Sequence, residues 1–587
     1  MSRISASEVI AKRVRTFALM GSASALTLAV ASTAIAQPIA EVVVTGTRIQ
    51  GVAPVGSTVI SVGREDVEKA GVSNTTDLLF KVPQIASFNS EGRQGGPILG
   101  GAAINVSFAN SPDIRGLGSS STLSLVNNHR MPPMGPNLAL FDSEAVPVIA
   151  LQRVEVIADG ASAIYGSDAV SGVINYIMRE PFDGAEISTR VGSYDGTSNW
   201  RISGIFGKTW ETGGFMIAAE RGHRDSLAAS KRPNQYNDDF RAFGGAPPPD
   251  QSIPGNVTIG GVVYPIPEAN TNGLTLAEIG PAGTRNYTSS WARTDALPLA
   301  DVDSIVVNFE QNIWTGIQIF GDGVFSNRNF RLARPGTAAL ALTVPHTNPY
   351  SPCNALNASA NPRGAACTGT SVAVAYNYGA DWPPGFREGH ERVYNAVGGV
   401  RADLPWDFKA EVYVSVGASE NRSNNFAVNN ARLNQVLAGN GTATGSSAAG
   451  IPAFNPFCGT ACNNAGTLAY VGSYNNNGHD FRRTMFSGNI NGPLPFFELP
   501  AGPIRIAVGG EYYRDHFVNV QNRADQTAAG TPVFTASPSP IRKVASVFGE
   551  LYIPVVGENN AMTFVRSLEL TIAGRYENYN NLGSTSN

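Results

Sequence analysis

The sequence predicts a mainly-β protein: a small α+β unit near the N-terminus, followed by a membrane-spanning antiparallel β-barrel. Three observations predict it. Charge is scarce, with charged residues at 15% against roughly a quarter in an ordinary soluble domain. Glycine is abundant at 63 residues while methionine numbers 8, which favours turns and strands over helices. The last two thirds of the chain alternates apolar and polar residues at period 2, in runs long enough to cross a bilayer when tilted. Among 587 residues, 42 Lys and Arg stand against 46 Asp and Glu. That balance argues against a nucleic-acid binder, which needs a surplus of cations to meet phosphates. A mean hydropathy of -0.07 excludes a multi-pass helical membrane protein.

The first residues read as an export signal over 1–36. Arg3, Lys12, Arg13 and Arg15 form a basic start, Phe17 to Val30 is apolar and small, and Ala34-Ile35-Ala36 supplies the small-x-small cleavage pattern. Gln37 is the expected mature start. No later run of about 18 apolar residues follows, so no transmembrane helix is expected.

From Gln37 to about Glu180 the pattern is that of an α+β unit. Val42-Val43-Val44, Val59-Ile60, Leu123–Val126, Arg153–Ile157 and Gly172–Met178 are strand-like. Ser73 to Leu79 offers a short capped helix, with polar cap residues ahead of an apolar pair. Gly92 to Gly101 reads as a Gly-rich loop.

Beyond about Ala185 the strands lengthen. Phe408, Ala410, Val412, Val414 and Val416 alternate with Lys409, Glu411, Tyr413, Ser415 and Gly417. Strands are expected near 186–194, 199–210, 215–222, 301–312, 316–326, 392–402, 407–418, 482–491, 503–514, 544–554 and 567–577. An extracellular sandwich also alternates, so the links decide. Tight links at Glu211–Gly214, Gln311–Thr315 and Leu404–Trp406 alternate with long ones near 223–300, 327–391, 419–481 and 515–543, apart from a brief first link at Asp195–Ser198. Outer-membrane barrels keep that parity; a sandwich has no reason to. About eleven strands is an odd count for a single-chain barrel, and an open edge in lipid leaves backbone groups unpaired. The expectation is therefore an N-terminal fragment, holding about half of a 22-stranded barrel over 183–587 with C-terminal strands missing.

The N-terminal unit carries an ordered set of motifs. They are Glu41-Val42-Val43-Val44-Thr45-Gly46-Thr47-Arg48, Asp113-Ile114-Arg115-Gly116, Leu151-Gln152-Arg153-Val154-Glu155-Val156 followed by Asp159–Gly166, and Gly172-Val173-Ile174-Asn175-Tyr176-Ile177. In this order they resemble the plug domain of the TonB-dependent outer-membrane receptors. The resemblance implies a TonB box at Glu41, Val42, Val43, Val44 and Thr45 within a periplasmic tether at 37–50, and a plug over 51–182. A Val-rich segment there can add as a strand to a partner's sheet edge, although Glu41–Thr45 also reads as the plug's own first strand. Arg115, Gly116, Arg153, Glu155, Gly160, Tyr165, Gly166, Gly172 and Asn175 are the plug-motif residues that the resemblance brings. Their charges could bond to barrel-interior groups such as Lys409, Glu411 and Arg575, or lie solvated.

The implied function is active uptake of a scarce ligand, such as a siderophore-iron complex, cobalamin, haem or an oligosaccharide, across a Gram-negative outer membrane. TonB would drive it by proton motive force through ExbB–ExbD, acting on a monomer surrounded by outer-membrane lipid. Many relatives place Asp-Gly after a plug strand, where this chain has Asn127, Asn128, His129 and Arg130; these are candidate ligand-facing residues. Only Gln37 to Ala40 precedes the TonB-box candidate, so no signalling domain is expected there.

Four cysteines in an oxidising compartment suggest local pairs, Cys353 with Cys367 and Cys458 with Cys462, each stapling one long link. A Cys-x-x-x-Cys metal site lacks neighbouring histidines, and the six histidines show no ligand spacing. Gly207-Lys208-Thr209 fails as a phosphate loop because Ile202 stands where glycine is required. No Gly-x-Ser-x-Gly elbow occurs. Neither catalysis nor a cofactor is expected, and a passive porin or a barrel-anchored adhesin is the alternative.

Overall fold

The computed structural model describes residues 45–89, 105, 108–135, 138 and 140–587, except 195, 246–250, 269–277, 290, 292, 334–339, 355–366, 368–369, 378, 380, 383–384, 439–450, 460–461 and 524–532. The export signal, Glu41–Val44 and the Gly-rich loop at 92–101 lie outside these residues.

The N-terminal unit begins with β1 (Val59–Gly63), α1 (Arg64–Ala70), α2 (Thr75–Leu79), β2 (Ile85–Asn89) and β3 (Ser111–Ile114). It continues through β4 (Thr122–Val126), β5 (His129–Arg130), β6 (Leu151–Ile157), α3 (Ser162–Tyr165) and β7 (Gly172–Met178). Five strands form one sheet in the order β1-β6-β7-β4-β5. The capped helix expected after Ser73 is α2: the Asn74 side chain accepts from the Asp77 amide at 2.7 Å, satisfying a donor that the helix itself cannot. The sequence reading missed α1, where Val67 is the buried residue of a mostly charged turn.

The large sheet contains all eleven expected strands and extends them: β8 (Gly184–Tyr194), β9 (Thr197–Trp210), β10 (Gly213–Arg224), β15 (Leu299–Trp314), β16 (Ile317–Ala333), β19 (Phe386–Leu404), β20 (Phe408–Val428), β21 (Gly472–Leu499), β22 (Gly502–Arg523), β24 (Arg542–Val556) and β25 (Leu568–Tyr579). A short β26 (Gly583–Ser586) follows, and β23 (Val533–Pro538) pairs beside β22. Every pairing is antiparallel between successive long strands.

Burial along these strands is the reverse of a water-soluble sheet. On β20 the valines Val412, Val414 and Val416 are exposed while Tyr413 and Ser415 between them are buried. Glu220, Asp322, Arg328, Glu511, Asp515, Glu550 and Arg575 are all buried on the inner face. An apolar exterior over a polar interior suits a strand wall facing hydrocarbon. Trp210, Trp314, Trp406, Phe497 and Phe564 are exposed at the short-turn end, where an aromatic girdle belongs.

The wall wraps the N-terminal unit. Leu78, Leu79, Val154, Val156, Ile174 and Tyr176 of that unit share one apolar core with Ile205, Met216, Ala218, Val306, Val324 and Val393 of the wall.

The long links carry strands and helices of their own. A small β11 (Leu227–Ala228) pairs with β14 (Asp295–Leu297). From the first and second long links, β12 (Asn256–Ile259), β13 (Val262–Pro265), β17 (Leu340–Val344) and β18 (Val372–Tyr376) make a sheet in the order β13-β12-β18-β17. The third adds α4 (Asn430–Leu437) and α5 (Ala465–Val471). Val257, Val374, Tyr376, Val436, Phe454 and Phe457 form their shared core. Asn348 donates to the carbonyls of Leu437 at 2.9 Å and Phe454 at 3.1 Å, so this cap locks three links together. Cys353 is bonded to Cys367 and Cys458 to Cys462.

Candidate functional site

The plug motifs converge on the first described residue. Glu155 on β6 is fully buried, a charge that needs partners to be tolerated there. Arg153 donates to one of its oxygens at 2.7 Å and the Thr45 hydroxyl to the other at 2.5 Å. Asn175 on β7 donates to Thr45 Oγ1 at 2.8 Å and to Asn128 Oδ1 at 2.7 Å. The Gly46 amide donates to the Tyr165 hydroxyl at 3.1 Å. Residues from three separate motifs thus clasp Thr45 and Gly46, and Thr45 is buried.

The next residues bind the wall. Thr47 Oγ1 and the Arg48 amide donate to the two oxygens of Glu550, both at 2.7 Å. Arg48 pairs with Glu511 at 3.0 Å. The Gln50 amide donates to Asn491 at 3.1 Å, and Arg505 donates to the Gln50 carbonyl at 3.1 Å. The Arg48 guanidinium also lies between the rings of Tyr165 and Phe548, at 5.1 and 5.0 Å. Burial opposes its charge, but Glu511, Tyr165 and Tyr413 together raise its pKa.

Two further clamps hold the plug. After α3, Gly166 takes φ +86°, and a Cβ there would meet the Glu577 carboxylate and Arg575. Ser167 follows with a bond to the Tyr579 hydroxyl at 2.8 Å, and Arg575 donates to the Ile164 carbonyl at 3.4 Å. Arg130 pairs with Asp168 at 2.8 Å. Burial works against the Asp168 carboxylate, yet Arg130, Arg483 and Arg542 together hold its pKa below the usual range. On the other side, Arg328 pairs with Asp142 at 2.7 Å and Glu144 at 3.1 Å, and Arg201 reaches Glu144 at 3.2 Å. Burial would raise the Glu144 pKa; Arg328 and Arg201 override it and hold it at about 2. The sequence reading missed Asp142 and Glu144, which sit in a single 3-10 turn with no periodicity to mark them.

Asn127 and Asn128 are half-buried, and His129 and Arg130 are buried. Asn127 and Asn128 both have positive φ, the geometry of a tight hairpin turn. Asn127 donates to Asp322 at 2.8 Å. His129 is buried, stacked on Phe320 and edge-on to Tyr413. Arg575 does touch the plug, but Glu411 pairs with Arg401 within the wall at 2.9 Å, and Lys409 lies across from Asp403 in register. Arg115 pairs with Asp159 inside the plug at 2.8 Å, and Gly116 beside it has open space around it. Gly160 packs near the Val170 carbonyl, and a Cβ at Gly172 would run into the Ile157 carbonyl. Among the described residues no group of three or more His, Cys, Asp or Glu could hold a metal ion.

Residues 52–173 match the family model for the TonB-dependent receptor plug domain. Similar solved structures include the siderophore receptor PirA of Acinetobacter baumannii, at 15% identity and TM-score 0.47, covering 91% of this chain and 58% of that one. A mutant of the ferric enterobactin receptor PfeA of Pseudomonas aeruginosa, in complex with enterobactin, gives 14%, 0.47, 90% and 59%. The ferripyoverdine receptor of the outer membrane of Pseudomonas aeruginosa, bound to ferripyoverdine, gives 11%, 0.49, 93% and 54%. The chain spans less than two thirds of the length of each. Residues 52–173 therefore form a TonB-dependent receptor plug domain.

Proposed function

We propose that the protein takes up a scarce ligand across the outer membrane of a Gram-negative bacterium, driven by TonB acting on Glu41–Thr45. On this reading residues 1–36 are a cleaved signal, 37–50 the tether, 51–182 the plug and 183–587 barrel wall in outer-membrane lipid. The ligand is a siderophore-iron complex, cobalamin, haem or an oligosaccharide, and ExbB–ExbD supplies proton motive force through TonB. The exposed valine rows and the aromatic residues at the short-turn end support the membrane placement.

The observation that carries the reading is the double attachment of residues 45–50. Thr45 and Gly46 are bonded to Glu155, Asn175 and Tyr165 of the plug, while Thr47, Arg48 and Gln50 are bonded to Glu550, Glu511 and Asn491 of the wall. A pull on Glu41–Val44 first loads Thr45. It is then passed both to the plug sheet, through a buried carboxylate, and to the bonds that hold the plug in place. Losing these bonds together is an order–disorder switch that a partner can bias.

The test is growth of cells carrying the full-length gene with Val43→Pro, on media limited for iron, cobalamin, haem or oligosaccharide. Proline removes a backbone donor that strand addition needs. Growth lost on one medium, with normal amounts of protein in the outer membrane, supports TonB coupling and names the ligand class. Growth unchanged where deletion of the gene abolishes it would overturn the coupling.

A further inference from the structure

The outer face of the wall changes character toward its long-link end. At mid-strand the outward residues are apolar: Val416 of β20, Phe486 of β21, Tyr512 of β22 and Val547 of β24 are all exposed. Nearer the long links they are charged. From β10 to β21 this charged band neutralises itself. Arg221 pairs with Asp303 at 3.5 Å, Arg331 with Glu388 at 3.7 Å, and Arg422 with Glu420 at 3.6 Å and Asp480 at 2.7 Å.

Three cations on β21, β22 and β24 break that balance. Arg482, Arg514 and Lys543 are exposed, alternating with the buried Arg483, Asp515 and Val544 of the inner face. Arg514 lies opposite Lys543 in register, and Arg482 lies opposite His516, the next residue along the same face from Arg514. Side chains in such positions stand roughly 5 Å apart when directly opposed and about 7–8 Å apart on the diagonal. The adjacent carboxylates are engaged elsewhere, Asp480 with Arg422, and Asp515 with Arg483 and Arg542 on the inner face. Among the described residues no carboxylate pairs with any of the three. Like charges held opposite one another destabilise a sheet, and the pairing of β22 with β24 holds these two in place. The cluster is also away from either edge, since β21 and β25 flank those strands.

We infer that this face binds a phosphate-bearing lipid of the membrane around the wall, with the phosphate on Arg482, Arg514 and Lys543. The inference rests on the membrane placement given above. An anion from outside the chain offsets the opposed cations that the wall itself leaves uncompensated. Phosphate fits the head: arginine forks and a lysine point charge both suit its oxygens, and a monoester carries about two negative charges. The tail has its place on the same face. Phe486 lies opposite Tyr512, which is the next outward residue from Arg514, and Val547 lies opposite Tyr576; all four are exposed. Acyl chains on that apolar row and a phosphate on the cations meet at one boundary, which selects an amphiphile over a soluble anion.

The test uses the full-length protein, extracted in detergent and stripped of lipid. Native mass spectrometry measures its affinity for a diphosphorylated glucosamine-disaccharide lipid, for the same lipid with both phosphates removed, and for inorganic phosphate. Two double variants of equal net charge are compared. Arg514→Gln with Lys543→Gln is expected to weaken the phosphorylated lipid at least about tenfold. Arg221→Gln with Arg331→Gln, which removes two cations already paired, is expected to stay within about twofold of the parent. Without lipid, the first double variant is expected to unfold at or above the parent's temperature, because two opposed cations are gone. Lys543→Gln alone covers the case in which the double change does not assemble, and is expected to give an intermediate loss.

Equal losses in the two double variants would overturn the site. Equal binding of the dephosphorylated lipid would overturn the head group, and displacement of the lipid by inorganic phosphate at the same concentration would overturn the amphiphile. Binding in detergent needs neither TonB nor an energised cell, so its outcome is independent of whether Val43→Pro abolishes growth.

Discussion

Glu511 gives one oxygen to Arg48 at 3.0 Å and the other to Arg575 at 2.6 Å, so a single wall carboxylate ties the plug's entry segment to the far strand β25. Both arginines depend on it for compensation of buried charge. Glu511→Ala leaves two guanidiniums without it, and breaking a buried pair in this way costs about 3–5 kcal/mol. The expected result is a lower unfolding temperature and trypsin cleavage after Arg48 in folded protein that the parent resists. Cleavage at the same rate in both would show that the anchor does not depend on Glu511.

Gly166 and Gly116 separate backbone conformation from crowding. Both have positive φ, at +86° and +73°, but only Gly166 faces side-chain atoms of Glu577 and Arg575. Gly116→Ala is expected to cost about 1 kcal/mol from the strained backbone. Gly166→Ala should cost more, roughly 2–4 kcal/mol, because it also displaces a buried ion pair. Denaturant unfolding of the two variants side by side checks the order.

The cap is expected to loosen as pH rises. Burial pushes the Asp381 carboxyl up to about 6, against bonds from Tyr376 and Asn463 that favour its charge. Its ordinary value is 3.8, so the folded cap holds a proton that the unfolded chain has lost. The stabilisation is complete below about pH 4 and is lost as pH climbs through 6, a difference of roughly 3 kcal/mol. Hydrogen exchange of β18 and α5, corrected for intrinsic rates, should show more protection at pH 5 than at pH 7.5. Asp381→Asn should remove the difference.

Cys353 and Cys367 close a loop with a separation of 14 residues. Replacing both with serine is expected to destabilise the cap by roughly 3 kcal/mol through the entropy restored to the opened chain. The plug anchor at Thr45–Gln50 should be unaffected. Exchange protection measured in both regions distinguishes a local loss from a global one.

The wall was legible because period-2 alternation is a property of neighbours in sequence, and β20 or β22 shows it without help from the rest of the chain. Plug motifs were legible for the same reason. What escaped was pairing over distance. Arg48 and Glu511 stand in contact across a separation of 463 residues, and nothing in either neighbourhood marks the other. The strands of the cap were hidden differently: β12 and β18 are 4 and 5 residues long, too short for a periodic signal, and they form because two links meet. Positive φ at Asn127 and Asn128 suits asparagine, which enters that region more readily than most residues.

The reversed wall also reverses which substitutions the chain can bear. In a water-soluble domain a lysine is harmless outside and ruinous inside. Here Val414 is exposed and Ser415, its neighbour, is buried toward the plug. A lysine at Val414 would enter hydrocarbon at a cost of about 2–4 kcal/mol at mid-depth, while on the inner face the wall already holds Arg328, Arg483 and Arg575 in bonded pairs. Inherited variation in this protein should therefore be conservative and greasy on its accessible side, with its chemical diversity confined to the side that no solvent-accessibility rule would call a surface.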